Sequence, residues 1–127
     1  MAEFRYLLDT NICIYILADL NSPAAQRLSR EDSGSVAIST IAHAELERGL
    51  VDVDAGARAA ADALYAAAPL LDFDREAARV CATIPFRHAR FDRLIAAHAL
   101  ALGVTLVTNN EADFADIPGL KTENWTR

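Results

Sequence analysis

No apolar run in this chain reaches the roughly 18 residues that a membrane-spanning helix needs, so none is expected. The opening Met1-Ala2-Glu3-Phe4-Arg5 lacks the charged and apolar regions of a signal peptide, and a cytoplasmic location is the expectation. Cysteine is scarce. Cys13 and Cys81 both lie in helix-like apolar patterns with no metal-ligand spacing around them, so they read as reduced core residues. Positive charge is also short: 12 Lys and Arg against 18 Asp and Glu leave a net charge of −6. Such a chain repels polyanions unless its basic groups are local or its acids are neutralised by cations. Repeats, linkers and low-complexity segments are missing beyond one alanine-rich stretch, which predicts a single domain over residues 1–127.

What is present fits a compact fold. A composition 53% hydrophobic and 24% charged excludes a disordered chain and allows a sizeable core. The stretch Phe4-Arg5-Tyr6-Leu7-Leu8-Asp9-Thr10-Asn11 organises the rest. Its apolar run reads as a buried strand that stops at a carboxylate, with Thr10 and Asn11 both suited to cap the helix that follows. In open α/β sheets the carboxyl edge of the strands is where ligands sit.

Farther along, Ile12, Tyr15, Ile16 and Leu20 have helical spacing, and Asn21-Ser22-Pro23 opens a second helix reaching Arg30. Val36 to Ser39 reads as a short strand, and Thr40 as the cap of a helix over Ile41–Leu50 that Gly49 helps to end. An alanine-rich helix over Ala55–Ala68 stops at Pro69. Leu70 to Phe73 is a candidate strand, Asp74 caps a helix through Thr83, and Ile84 to Arg90 is a connector. Phe91 to Leu102 is an apolar helix closed by Gly103, and Val104 to Val107 is a β-branched strand. A short acidic helical piece over Glu111–Asp116 and an edge strand within Leu120–Trp125 complete the reading. Strands alternating with helices imply βαβ units: an α/β, three-layer α/β/α sandwich with a short, mostly parallel sheet.

Four acids deserve comparison. Asp9 ends the first strand, and Asp113 follows the last clear one by a few residues. Glu45 shares a helix stripe with Ile41, Ala44 and Arg48, and spacing alone leaves it either inward-facing or paired with Arg48 in solvent. Asp92 heads the stripe Ile95, Ala96 and Ala99, which gives it an inward direction that a first-turn dipole role does not explain. Whether Asp113, Asp116 or Glu111 is the fourth acid stays open on spacing. Like charges brought together require a cation, and hard oxygen ligands without Cys or His suit Mg²⁺ or Mn²⁺ rather than zinc. An ion held by carboxylates polarises a phosphate and lowers the pKa of a bound water, the chemistry of phosphodiester hydrolysis. His43, His88 and His98 do not read as ligands; His98 lies about 120° around its helix from Asp92, a packing position.

The segments Leu7-Leu8-Asp9-Thr10-Asn11, Ala44-Glu45-Leu46-Glu47-Arg48-Gly49, Phe91 to Leu100 and Leu106-Val107-Thr108-Asn109-Asn110 occur in that order, and the ending carries Phe114, Ile117-Pro118-Gly119-Leu120 and Asn124-Trp125. Together they resemble the PIN-domain ribonucleases, specifically VapC toxins of toxin–antitoxin pairs. The resemblance implies a parallel-sheet sandwich in which Asp9, Glu45, Asp92 and Asp113 match the family's four acids around Mg²⁺ or Mn²⁺. It implies an endoribonuclease acting on RNA, commonly transfer or ribosomal RNA loops. It also implies a homodimer held inactive by a cognate VapB-like antitoxin. Asn11 and Thr108 match supporting positions beside the metal. Where many relatives are rich in Gly and Pro before the third acid, this chain has Pro85-Phe86-Arg87-His88-Ala89-Arg90.

On this reading Asp9, Asp92 and Asp113 bind metal, Glu45 completes the shell or orients the nucleophile, and Arg87, Arg90 and Arg93 hold the RNA backbone. Two rivals are an Asp-nucleophile phosphatase, disfavoured because the position two residues after Asp9 is Asn11, and a non-catalytic acidic docking module.

Overall fold

The computed structural model describes residues 3–87 and 90–127. Its elements run β1 (Tyr6–Leu8), α1 (Thr10–Ala18), α2 (Pro23–Arg30), β2 (Val36–Ser39), α3 (Thr40–Gly49), α4 (Ala55–Ala67), β3 (Leu70–Leu71), α5 (Arg75–Cys81), α6 (Phe91–Leu102), β4 (Thr105–Val107), a 3₁₀ turn (Glu111–Phe114) and β5 (Thr122–Glu123). The five strands form one sheet in the order β3-β2-β1-β4-β5, and every pairing is parallel.

Strands covered on both faces read as continuous apolar runs rather than alternating ones, and β1 and β2 are buried along their whole length. Leu7, Leu8, Ile38, Leu106 and Val107 are fully enclosed, each contributing about 1.5–3 kcal/mol on transfer from water. The chain steps from β1 to β2 to β3 in one direction, then returns to the other side of β1 for β4 and β5. Right-handed crossovers in opposite directions put the two helix sets on opposite faces. Accordingly α1 touches α2 and α4, α5 and α6 pack as a pair, and α3 touches both α1 and α6. The reversal leaves a crevice beyond the carboxyl ends of β1 and β4, the place where such sheets bind ligands.

Several local expectations are corrected. Asp9 itself caps α1: its Oδ1 accepts the Ile12 N–H at 2.8 Å, while Thr10 is already helical. Ser39, not Thr40, caps α3, accepting from the Ile41 N–H at 3.1 Å. Gly49 is the last helical residue of α3 with Leu50 in an αR cap, and the left-handed conformation falls later, at Asp52 (φ 68°). The third strand ends at Leu71 because the Phe73 N–H turns away to the Thr40 hydroxyl, 3.0 Å. Gly103 does close α6, at φ 71°. Cys13 is buried, but Cys81 at the end of α5 is only half-buried; both are free thiols. Among the described residues no helix is long and apolar enough to cross a membrane.

Candidate active site

The crevice at the β1–β4 reversal is a cavity of about 370 Å³ whose walls include Asp9, Glu45, Asp92 and Asp113, with Thr10, Asn11 and Thr108. Each acid arrives by a different route. Asp9 follows β1 directly, Glu45 lies midway along α3, Asp92 in the first turn of α6, and Asp113 in the 3₁₀ turn after β4. Glu111 and Asp116, the other candidates for the fourth place, do not line this cavity. Glu111 accepts from the Thr122 hydroxyl at 2.7 Å, and Asp116 pairs with Arg93 and Arg87.

The acids are held individually rather than by one another. Asp9 is 5% exposed and accepts a hydrogen bond from the Ile12 N–H at 2.8 Å, and Thr108 lines the cavity with it. Burial raises its pKa to about 6; the Thr108 hydroxyl and the Ile12 N–H oppose the rise, and the charges of Asp92 and Glu45 add to it. The Thr10 hydroxyl donates to Glu45 Oε1 at 2.6 Å, tying α1 to α3 and settling the orientation that spacing left open. Asn110 Nδ2 donates to Asp113 Oδ2 at 2.8 Å. Asp92 Oδ1 is buried with no hydrogen-bond partner among the described residues.

Among the described residues no three His, Cys, Asp or Glu side chains are gathered tightly enough to ligate one ion. The acids line one shared cavity. Two observations nonetheless fit a hard divalent cation: a buried carboxylate oxygen without a partner among the described residues, and a second carboxylate whose charge is disfavoured by burial. The donor set is all oxygen, which suits Mg²⁺ or Mn²⁺.

Of the arginines expected to grip RNA, Arg87 and Arg90 are exposed, with side chains 66% and 61% accessible. Arg93 is different. Its side chain is 7% exposed and turned toward Asp116, so it is not a surface phosphate contact in this structure. The reason is the 3₁₀ turn, which folds over it, as the Arg93 bond to the Asp113 carbonyl shows. Neither His43 nor His98 lines the cavity. His98 is buried, 2.9 Å from the Ser39 hydroxyl and edge-on to Phe73, and burial lowers its pKa. His43 packs edge-on to Tyr65 near Glu47, and His88 lies outside the described residues.

The family profile of the PIN domain matches residues 6–120, so the chain belongs to the PIN-domain family. Within that family its similarity is to VapC ribonucleases. It is 31% identical to the tRNA(fMet)-specific endonuclease VapC of Shigella flexneri, covering 96% of this chain and 98% of that one. It is 30% identical to Ribonuclease VapC2 of Haemophilus influenzae, with 95% and 98% covered. Among solved structures it superimposes on VapBC2 from Rickettsia felis bound to a promoter DNA fragment, with TM-score 0.84, 30% identity, and 96% and 99% of the two chains covered. DNA-bound VapBC from Salmonella typhimurium gives the same TM-score of 0.84 at 30% identity.

Proposed function

We propose that this chain is a metal-dependent endoribonuclease toxin that hydrolyses phosphodiester bonds in RNA, with transfer or ribosomal RNA loops as its substrate class. A cognate VapB-like antitoxin would neutralise it, and its working form would be a homodimer or a hetero-oligomer with that antitoxin. One observation carries the reading: four carboxylates from four separate segments line a single cavity at the sheet's reversal point, and one of them keeps a buried oxygen unpaired among the described residues. The kinship with VapC ribonucleases supports the activity, and the VapBC complexes among the structural neighbours support the partner.

Asp9, Asp92 and Asp113 would hold a Mg²⁺ or Mn²⁺ ion, which when bound polarises a phosphoryl oxygen and lowers the pKa of water. The protein's own groups do the rest. The Ile12 N–H keeps Asp9 oriented, and Asn110 holds Asp113 toward the cavity. Thr10 occupies Oε1 of Glu45 and leaves Oε2 to take a proton from the attacking water. Arg87 and Arg90, exposed near Asp116 and Asp113, are placed to hold the RNA backbone and contribute position rather than sequence choice.

The test is incubation of the purified protein with end-labelled single-stranded RNA and with total transfer RNA. Internal cleavage is expected with Mg²⁺ or Mn²⁺, lost in excess EDTA and regained when the ion is restored. Cleavage that persists in EDTA, or an acid-stable aspartyl phosphate in place of cleavage, would overturn the reading.

A further inference from the structure

Among the described residues, the most deeply buried cation has no part in the chemistry above. Arg93 follows Asp92 in the first turn of α6, and both of its terminal nitrogens are engaged. Nη1 donates to Asp116 at 3.0 Å (Oδ1) and 3.3 Å (Oδ2), and to the Pro85 carbonyl at 3.4 Å. Nη2 donates to the Asp113 carbonyl at 2.8 Å, and the guanidinium carbon lies 5.8 Å from the centre of the Phe114 ring. A single side chain therefore fastens the 3₁₀ turn bearing Asp113 to the helix bearing Asp92.

That turn is anchored at its two ends, where Glu111 accepts from the Thr122 hydroxyl at 2.7 Å and Phe114 is buried in the core, while the Asp113 carboxylate between them has less to hold it. The turn is one short 3₁₀ segment, whose internal hydrogen bonds have poor geometry. The Asp113 side chain is 46% exposed and is held only by Asn110 and, at 4.0 Å, Arg90 among the described residues. Its position in the cavity is set through its backbone, and the guanidinium grips that backbone. A buried charge is tolerated only when paired and hydrogen-bonded, and Asp116 supplies the pairing. The planar fork also matters: it reaches a carboxylate and a carbonyl together, which an ammonium on a flexible stem does not reproduce.

We propose that Arg93 and Asp116 form a positioning pair that fixes Asp113 against Asp92, so that the two acids can share one divalent ion. This rests on reading the cavity as a metal site, and it assigns Arg93 to the geometry of that site instead of to RNA contact. Groups that orient ligands typically alter metal affinity by about 10–100-fold when removed.

The experiment titrates Mn²⁺ into the full-length wild-type protein, Arg93→Met, Asp116→Asn and Leu64→Ala, with melting temperature and RNA-cleavage kcat and KM measured alongside. Leu64 is a buried α4 residue that does not line the cavity and serves as the destabilised control. Mn²⁺ affinity is expected to fall about 10–100-fold in Arg93→Met and in the same direction in Asp116→Asn. The fall should appear in kcat with little change in KM, while Leu64→Ala melts lower yet binds Mn²⁺ as the wild type does. Should Arg93→Met fail to fold, Asp116→Asn decides, since Asp116 is only partly buried. Variants that melt lower but bind Mn²⁺ normally would overturn the proposal, as would normal Mn²⁺ affinity with a raised KM for RNA. A wild type that binds no Mn²⁺ would instead sink the metal-site reading, and the pair would then be a structural ion pair only.

Discussion

Replacing Asp9 with Asn is expected to abolish RNA cleavage and, in the same molecule, to raise the melting temperature of the metal-free protein at neutral pH. Both effects come from one buried carboxylate. Asp9 is 5% exposed, and its pKa is raised to about 6 chiefly by burial. At pH 7 the folded metal-free protein therefore carries a charge that its surroundings disfavour. Asparagine removes the charge but keeps the side-chain oxygen that accepts the Ile12 N–H, and Asn caps helices as well as Asp does. The fold thus loses a repulsion and keeps its cap. The chemistry loses an anionic ligand, worth several kcal/mol of transition-state stabilisation, or about 10²–10⁴-fold in rate. Cleavage of labelled RNA in Mn²⁺, paired with calorimetry in EDTA, checks both halves. A variant that is both inactive and destabilised would mean that Asp9 serves the fold rather than a cation.

The second large effect is in the pH dependence of stability. A carboxylate whose pKa is raised on folding helps the folded state while it stays protonated. That help is complete below about pH 3.8 and is lost as pH rises through about 6. Its full size is on the order of 3 kcal/mol. In metal-free protein the advantage of Asp9→Asn over wild type should therefore be small at pH 4, grow toward pH 6 and level off above it. Comparing the two proteins matters because other acids run the opposite way. Asp116 and Glu47 have pKa values lowered by their arginine and tyrosine partners, and what they contribute is lost as pH falls. Mn²⁺ binds the ionised form and should stabilise wild type most above pH 6, by mass action, with little effect on Asp9→Asn. Denaturant unfolding at pH 4, 5, 6 and 7, with and without Mn²⁺, reads out all of this. A flat difference between wild type and variant across that range would contradict it.

Much of this was legible in the sequence because it follows from strand ends. A short apolar run stopping at Asp9, and a β-branched run stopping at Thr108, mark the two strands whose carboxyl ends flank the crevice. The inward direction of Asp92 followed from the stripe Ile95, Ala96 and Ala99, all of which are buried. Glu45 was undetermined, since its helical neighbours cannot reveal a hydroxyl arriving from Thr10, 35 positions away. Arg93, expected with Arg87 and Arg90 to hold the RNA backbone, sits elsewhere for a related reason: its local sequence does not show that the chain returns more than 20 residues later and buries it. The caps were misplaced by one residue because Asp9 and Ser39 each close a strand and open a helix at once, and adjacent Thr10 and Thr40 offer the same chemistry.

The claim beneath all of these expectations is that the four carboxylates converge in order to share a divalent ion. Anomalous diffraction from crystals grown in Mn²⁺ tests it most directly. The expected result is a manganese peak inside the crevice, bonded to Asp9, Asp92 and Asp113 at roughly the 2.0–2.2 Å typical of hard divalent ions with oxygen ligands. A cavity without manganese at saturating concentration, or a peak held by other residues while Asp92 Oδ1 stays unpaired, would contradict it.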